Sequence, residues 1–363
     1  MSYLLPNPIP WAPLATALAH AEDRLARLDE RLGKSPVREA FLSRGHFADA
    51  CAALRLEGEL VNLEDLVLHD AGMDVRAPTH ELTHAHTVLR TRRRIANAKP
   101  EWAPSEAGIC GLRGRGLARG GGSDQQPDLK EPWEPLDDCV ESPLDEPLAA
   151  ELTLLDQALE RANRALATRG RTRDPLVYDQ GYDEDARMAE WRHVEEETRS
   201  LPPLLAAALS WDAWATIEPL EHLDWLGPLL IAATLRARRK ARHHLPQLAA
   251  ALRLVPPQQR RAPDGPTRLA AFLQAVAAMA EAGARDHERW LTARRLLERK
   301  LEGRRRKSRL GALIDLVMDR PIVNAALIAR ELAITPRAAQ TLVAELGLRE
   351  ITGRRRYRAW GIL

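Results

Sequence analysis

An all-α fold is what this sequence predicts: a multi-helical body with a C-terminal winged helix-turn-helix carrying one small β-hairpin. Three observations lead there. Of 363 residues 45% are hydrophobic but only 4% aromatic, and Ala, Leu, Arg and Glu dominate, a mix that favours helix over sheet. Apolar residues recur at steps of three and four through most of the chain. Strand signals are confined to the last sixteen residues.

The first helix is expected over 11–33, where Leu14, Leu18, Ala21, Leu25, Leu28 and Leu32 form one apolar stripe, for packing inside its own domain rather than a coiled-coil seam. Ser35-Pro36 reads as N-cap and first position of a second helix carrying Val37, Phe41, Phe47, Cys51 and Leu54. A short third helix covers about Leu63–His69, and a fourth runs from Pro78-Thr79 to about Asn97, closing an N-terminal helical segment, 1–97. Residues 98–146 hold seven glycines between Gly108 and Gly122, then five carboxylates between Glu134 and Asp145 among prolines, and are expected to be a disordered linker. A helical body over 147–307 follows, with helices near 148–168, 184–199, 203–215, 220–241, 246–253 and 267–301. Residues 308–363 form the last domain.

Composition excludes several classes. Three cysteines (Cys51, Cys110, Cys139) without a CxxC pair exclude a disulfide framework and a cysteine-rich zinc site. The first residues lack a basic leader, and the longest uncharged apolar run, Trp225 to Leu235, is too short to span a bilayer. A soluble, cytoplasmic protein with no membrane partner is expected. The formal net charge of +2 hides an asymmetry: residues 294–363 carry 17 Arg and Lys against 7 Asp and Glu, so the rest of the chain is acidic. A basic C-terminal end points to a polyanion partner.

One string, His80-Glu81-Leu82-Thr83-His84, has the HExxH spacing of zinc proteases. At about 100° per residue, however, Leu82, Ala85, Leu89 and Ala96 share one side of the helix, and the two histidines fall nearly opposite. The metzincin third-ligand position holds Arg90. The match reads as chance, and no metal or other cofactor is expected. Arg90, Arg92, Arg93 and Arg94 are expected to sit favourably near a helix C-terminus, and His243-His244 to form a solvated basic helix end. No Gly-rich phosphate loop, GxSxG elbow or paired cysteine nucleophile is present, so no enzyme activity is expected.

The C-terminal stretch is the informative one. Leu310, Leu313, Ile314 and Val317 make an amphipathic helix stopped at Arg320-Pro321. Asn324 caps the next, with Ile328, Ala329 and Leu332 inward, and Ala333-Ile334 form the turn where Gly is usual. Thr335 and Pro336 open a second helix backed by Ala339, Leu342 and Val343, a helix-turn-helix pattern. Strands near 348–351 and 355–360 read as a wing, with Tyr357 and Ala359 alternating with Arg356 and Arg358. The partner expected is double-stranded DNA. Arg337, Gln340 and Thr341 on the outward face of the second helix are the base-reading candidates, since Arg and Gln match guanine and adenine edges. Arg354, Arg355, Arg356 and Arg358 are backbone candidates, joined by Arg305, Arg306 and Lys307 from the basic run before the domain.

The segments FADACAALRLEGELVNLEDLVL and IDLVMDRPIVNAALIARELAITPRAAQTLVAELGLREITGRRRYRAW resemble the N-terminal helical segment and the C-terminal winged helix of Fic-family proteins. Nearly the whole chain except the linker resembles more closely an uncharacterised helix-turn-helix family of rhizobia and related α-proteobacteria. Relative to the Fic motif HPFxxGNGRxxR, the stretch Ile217–Arg239 keeps His222, Asp224 and Gly227 but lacks the HPF, the GNG and the Arg. The inhibitory S/TxxxEG signature survives only as Glu57-Gly58, with Ala53 at the hydroxyl position. The resemblance thus implies a degenerate Fic-like scaffold that has lost its chemistry. A transcriptional regulator is the expected function, with the body serving dimerisation (a homodimer), sensing of a small-molecule effector, or both. The alternatives are a divergent Fic-like nucleotidyl transferase and an adaptor whose winged helix binds protein.

Overall fold

The computed structural model describes residues 3–73, 77–113, 182–301, 309–351 and 358–362. The fold is all-α, as composition and periodicity predict, and carries a small three-stranded sheet near the C-terminus. Among the described residues, no helix is long and apolar enough to cross a membrane.

Helix α1 (Trp11–Gly33) buries all six leucine and alanine positions of its stripe, and lies along the longest helix, α11 (Gly265–Arg299). Helix α2 (Arg38–Leu56) starts three residues later than its expected cap, because Ser35 turns the chain first: its Oγ accepts from Val37 N at 3.2 Å. Helices α3 (Leu63–Asp70) and α4 (His80–Asn97) follow their expected spans, with Thr79 Oγ1 capping α4 through Leu82 N.

The expected linker begins too early. Residues 98–113 are folded, and α5 (Glu106–Leu112) is capped by Ser105 Oγ on Gly108 N at 3.1 Å, with Ala103 and Ile109 buried. Its glycines suggest a loop, but Ile109 anchors the helix and Arg94 stacks on the Trp102 ring at 4.8 Å. The rest of the expected linker and the helix expected at 148–168 lie outside the described residues.

The chain resumes with α6 (Glu184–Glu197), α7 (Pro203–Ile217), α8 (Leu226–Ala237), α9 (Leu248–Arg253) and the short α10 (Pro257–Arg260) before α11. Helix α8 is shorter at both ends than the 220–241 expected. Glu218 (φ 48°) takes the left-handed conformation before Pro219, and Arg239 (φ 58°) does so after the helix. Gly227 lies against the Trp214 indole, where a Cβ would come within 2.4 Å of the ring. Its lack of a side chain is a packing requirement.

The two helical segments read as separate in sequence share one core. Leu25, Phe47 and Leu89 belong to the same buried cluster as Trp191, Leu209, Leu230 and Phe272. Buried polar contacts bind the two halves, and two sequence expectations give way here. Arg92 is fully buried, donating to Asp49 Oδ2 at 2.5 Å and to the carbonyls of Leu245 (2.7 Å) and Pro246 (3.2 Å). Arg93 grips Asp70 through both nitrogens, at 2.6 and 3.1 Å. These arginines brace the core rather than finish a helix. Likewise His244 is buried: its Nδ1 donates to Asp29 Oδ1 at 2.7 Å, and Asp29 also accepts from Arg242 N (2.8 Å) and His243 N (2.9 Å). Burial opposes ionisation of Asp29, yet these donors hold its carboxyl below the usual range.

Candidate nucleic-acid interface

After α11 come α12 (Leu310–Asp319), strand β1 (Val323–Asn324), α13 (Ala325–Leu332), α14 (Pro336–Leu346), β2 (Arg349–Glu350) and β3 (Ala359–Gly361). Each boundary has a local cause. Asn324 Oδ1 accepts from Leu327 N at 2.7 Å and starts α13; Thr335 Oγ1 accepts from Ala338 N at 3.2 Å and starts α14, with Pro336 at its first turn. Ala333 ends α13 in the left-handed conformation (φ 49°), the role glycine usually fills, and Gly347 (φ 58°) ends α14. Ile328, Ala329 and Leu332 pack against Ala339 and Val343, and Ile334 fills the turn between the helices.

The sheet differs from the expected hairpin. β3 is central, pairing antiparallel with β1 (Val323↔Trp360) and with β2 (Glu350↔Trp360). The extra strand is two residues long, too short to leave a pattern in sequence. Of the strand expected at 355–360, residues 355–357 lie outside the described residues, and the described part runs over Ala359–Gly361, with Ala359 and Trp360 buried.

The unit is seated firmly on the body. Arg44 of α2 is buried and donates to the carbonyls of Val317 (2.7 Å), Met318 (2.7 Å) and Arg320 (3.1 Å), capping the C-terminus of α12. Its guanidinium lies 5.3 Å from the Trp290 ring. Arg320 pairs with Asp70 at 2.8 Å, Arg330 donates to the Ala71 carbonyl, and Lys300 at the end of α11 donates to the Leu346 carbonyl at the end of α14. Leu28, Leu32, Val37 and Phe41 of the body share a buried cluster with Leu313, Ile328 and Val343.

The outward face of α14 is exposed, and Arg337, Gln340 and Thr341 lie on it together. Thr341 Oγ1 donates back to the Arg337 carbonyl at 3.1 Å, leaving the hydroxyl oxygen able to accept. The guanidinium of Arg337 has no hydrogen bond or ion pair to a described residue. Arg358 is 58% exposed, with Nε 3.6 Å from Glu350 Oε2. Arg305, Arg306, Lys307, Arg354, Arg355 and Arg356 lie outside the described residues. Arg309, the last residue of the basic run before α12, is exposed, and Arg349 on edge strand β2 is an exposed cation that sequence reasoning passed over, although the basic surplus of this region was a signal for it.

The HExxH histidines do not converge on a third ligand. His80 is exposed, while His84 turns to Glu59 Oε2 at 3.3 Å and to the edge of Trp225. No group of three His, Cys, Asp or Glu able to hold a metal occurs among the described residues.

Two stretches of the chain match known families. Residues 310–363 match a family described as an HTH DNA binding domain, and residues 176–302 match one described as a protein of unknown function, DUF1612. The resemblance to Fic-family proteins is not shown by these matches. An uncharacterised protein of Sinorhizobium fredii, y4cF, is 42% identical over 362 residues, covering 93% of each chain. Similarity of that extent runs through body and helix-turn-helix alike, and the chain belongs to the same family as this rhizobial protein.

Proposed function

We propose that this chain is a transcriptional regulator that reads double-stranded DNA through α14 and is not an enzyme. The observation that supports it best is the outward face of α14, where Arg337, Gln340 and Thr341 stand exposed on a helix held rigidly at both ends. The side chains on that face suit a major groove, where Arg takes guanine and Gln takes adenine. The sheet serves as the wing, with Arg358 and the arginines at 354–356 meeting phosphate or minor groove, and Arg305, Arg306 and Lys307 adding backbone contacts. One such module offers few phosphate contacts, so the protein acts as a homodimer on paired half-sites.

The test is fluorescence anisotropy with the gene's own upstream DNA and with random duplex across a salt series. A regulator binds the upstream DNA with a clear margin and a steep negative salt slope. Arg337→Ala is expected to weaken the specific complex by about 1–3 kcal/mol and leave random-duplex binding nearly unchanged. Equal affinity of wild type and variant for the upstream DNA overturns the assignment of Arg337.

A further inference from the structure

A second basic feature lies in the body, remote in sequence from the helix-turn-helix. A cleft of about 370 Å³ is walled by α2, α4 and the 236–245 segment, and four arginines line it: Arg38, Arg93, Arg236 and Arg242. Glu39 is the one carboxylate in its lining among the described residues. The nearby carboxylates are already engaged: Asp29 accepts three N–H groups, Asp70 is shared by Arg93 and Arg320, and Glu101 acts on Arg236. The Arg242 side chain has no hydrogen bond or ion pair to a described residue, and Arg38 uses only Nε, on the His243 carbonyl at 3.2 Å.

The cleft also contains buried ring nitrogens without partners. His46 Nδ1 and His244 Nε2 are shielded from solvent and meet no hydrogen-bond partner among the described residues. Burial first, then the charges of Arg92 and Arg93, push His46 down to about 3, so its imidazole is neutral at physiological pH. Two unpartnered buried nitrogens are costly to leave dry, and the convergent guanidinium groups beside them match what a multiply charged oxyanion requires.

We propose that this cleft is a binding site for a small phosphorylated molecule, its phosphate taken by Arg38 and Arg242 and its polar remainder by the histidine side. Planar guanidinium forks fit the paired oxygens of carboxylate and phosphate alike; the assignment is phosphate because four arginines line the cleft, and a phosphate group offers more charge and more acceptor oxygens to them than a carboxylate does. The site is wired to the DNA-binding unit. Arg93 reaches from the cleft to both oxygens of Asp70, and Asp70 Oδ2 also holds Arg320 beside the C-terminus of α12. A phosphate that draws Arg93 toward itself loosens Asp70 and, with it, the seat of the helix-turn-helix. That coupling rests on the proposed DNA binding; the site itself does not.

Calorimetric titration of the full chain without DNA tests the site, using glycerol phosphate, pyrophosphate and citrate. Saturable binding of the phosphorylated probes is expected, with about a tenfold or greater loss in Arg242→Gln and none in Arg337→Ala. Absence of heat with both phosphorylated probes at millimolar concentration overturns the proposal. So does binding that survives in Arg242→Gln, or that disappears in Arg337→Ala, since the anion is then elsewhere or on the DNA face. Citrate binding as tightly as the phosphorylated probes overturns the phosphate assignment. Anisotropy with upstream DNA is then repeated at saturating glycerol phosphate: weakened DNA binding supports the coupling, and an unchanged affinity overturns it.

Discussion

Replacing Arg44 by Met isolates what seats the helix-turn-helix on the body. The last carbonyls of a helix have no partner within it, and here Val317 and Met318 find theirs in a buried guanidinium reaching from α2, with Arg320 as a third. Burial lowers the Arg44 guanidinium to about 10, with a further push from Arg289, so it stays charged at neutral pH and its hydrogen bonds are charge-assisted. Methionine keeps most of the stem that packs near Trp290 but leaves two buried carbonyls unsatisfied, each at about 1–3 kcal/mol. Relief from burying a cation offsets part of this, and the net loss is expected to be about 2–4 kcal/mol. Urea unfolding followed by tryptophan fluorescence reads it directly, because Trp290 and Trp360 both lie in the affected cluster. Hydrogen exchange should show protection falling first in 310–351. A loss below about 1 kcal/mol would mean that the carbonyls find water or relax, refuting the clamp.

Three further perturbations have defined signs. Ala333→Gly relieves the left-handed strain of a non-glycine residue at the turn of the helix-turn-helix and is expected to raise stability by up to about 1 kcal/mol, read as a higher midpoint in thermal unfolding. Gly227→Ala drives a methyl into the Trp214 indole and should cost about 1–3 kcal/mol in the same assay. Glu195, under Ser210 and Thr234, is raised by burial from its ordinary 4.5 to about 7. Its native state therefore binds more protons than the unfolded chain across that interval, and stability falls as pH rises through it. In Glu195→Gln this decline between pH 4.5 and 7 should be smaller, as measured by urea midpoints at each pH.

What was legible in sequence was what is local. The α1 stripe, the Asn324 and Thr335 caps, and the Ala333 turn all follow from residues within one or two turns of each other. The outward set on α14 follows from the same periodicity. What failed depended on partners far along the chain. Four arginines at the end of α4 look like a charged helix terminus, and only the placement of Asp49 and Asp70 shows two of them to be internal braces. His243-His244 follows a basic run, and its burial depends on Asp29, more than 200 positions away. The late start of α8 has a similar cause: Glu57 Oε1 accepts from Trp225 N at 2.9 Å, holding residues 220–225 in a turn that apolar periodicity alone extends into helix.

Those distant partners also bear on how the body and the helix-turn-helix work together. A DNA-reading helix on a free tether would leave the orientation of Arg337 to its own domain. Here α14 begins at a local cap but ends on Lys300, while α12 ends on Arg44 and Arg320 is held by Asp70. The direction in which α14 presents its face is therefore set by α2, α3 and α11 together. Any ligand or partner that shifts those three helices redirects that face without touching it, since a packed interface yields by changing contacts rather than by stretching. Asp70 is the narrowest point in that linkage, because one carboxylate serves an arginine on each side. Burial opposes its ionisation, but Arg93 and Arg320 hold it below the usual carboxylate range, so it stays charged wherever the protein is folded near neutral pH. A switch through Asp70 must accordingly act by competing for its arginines, not by protonating it.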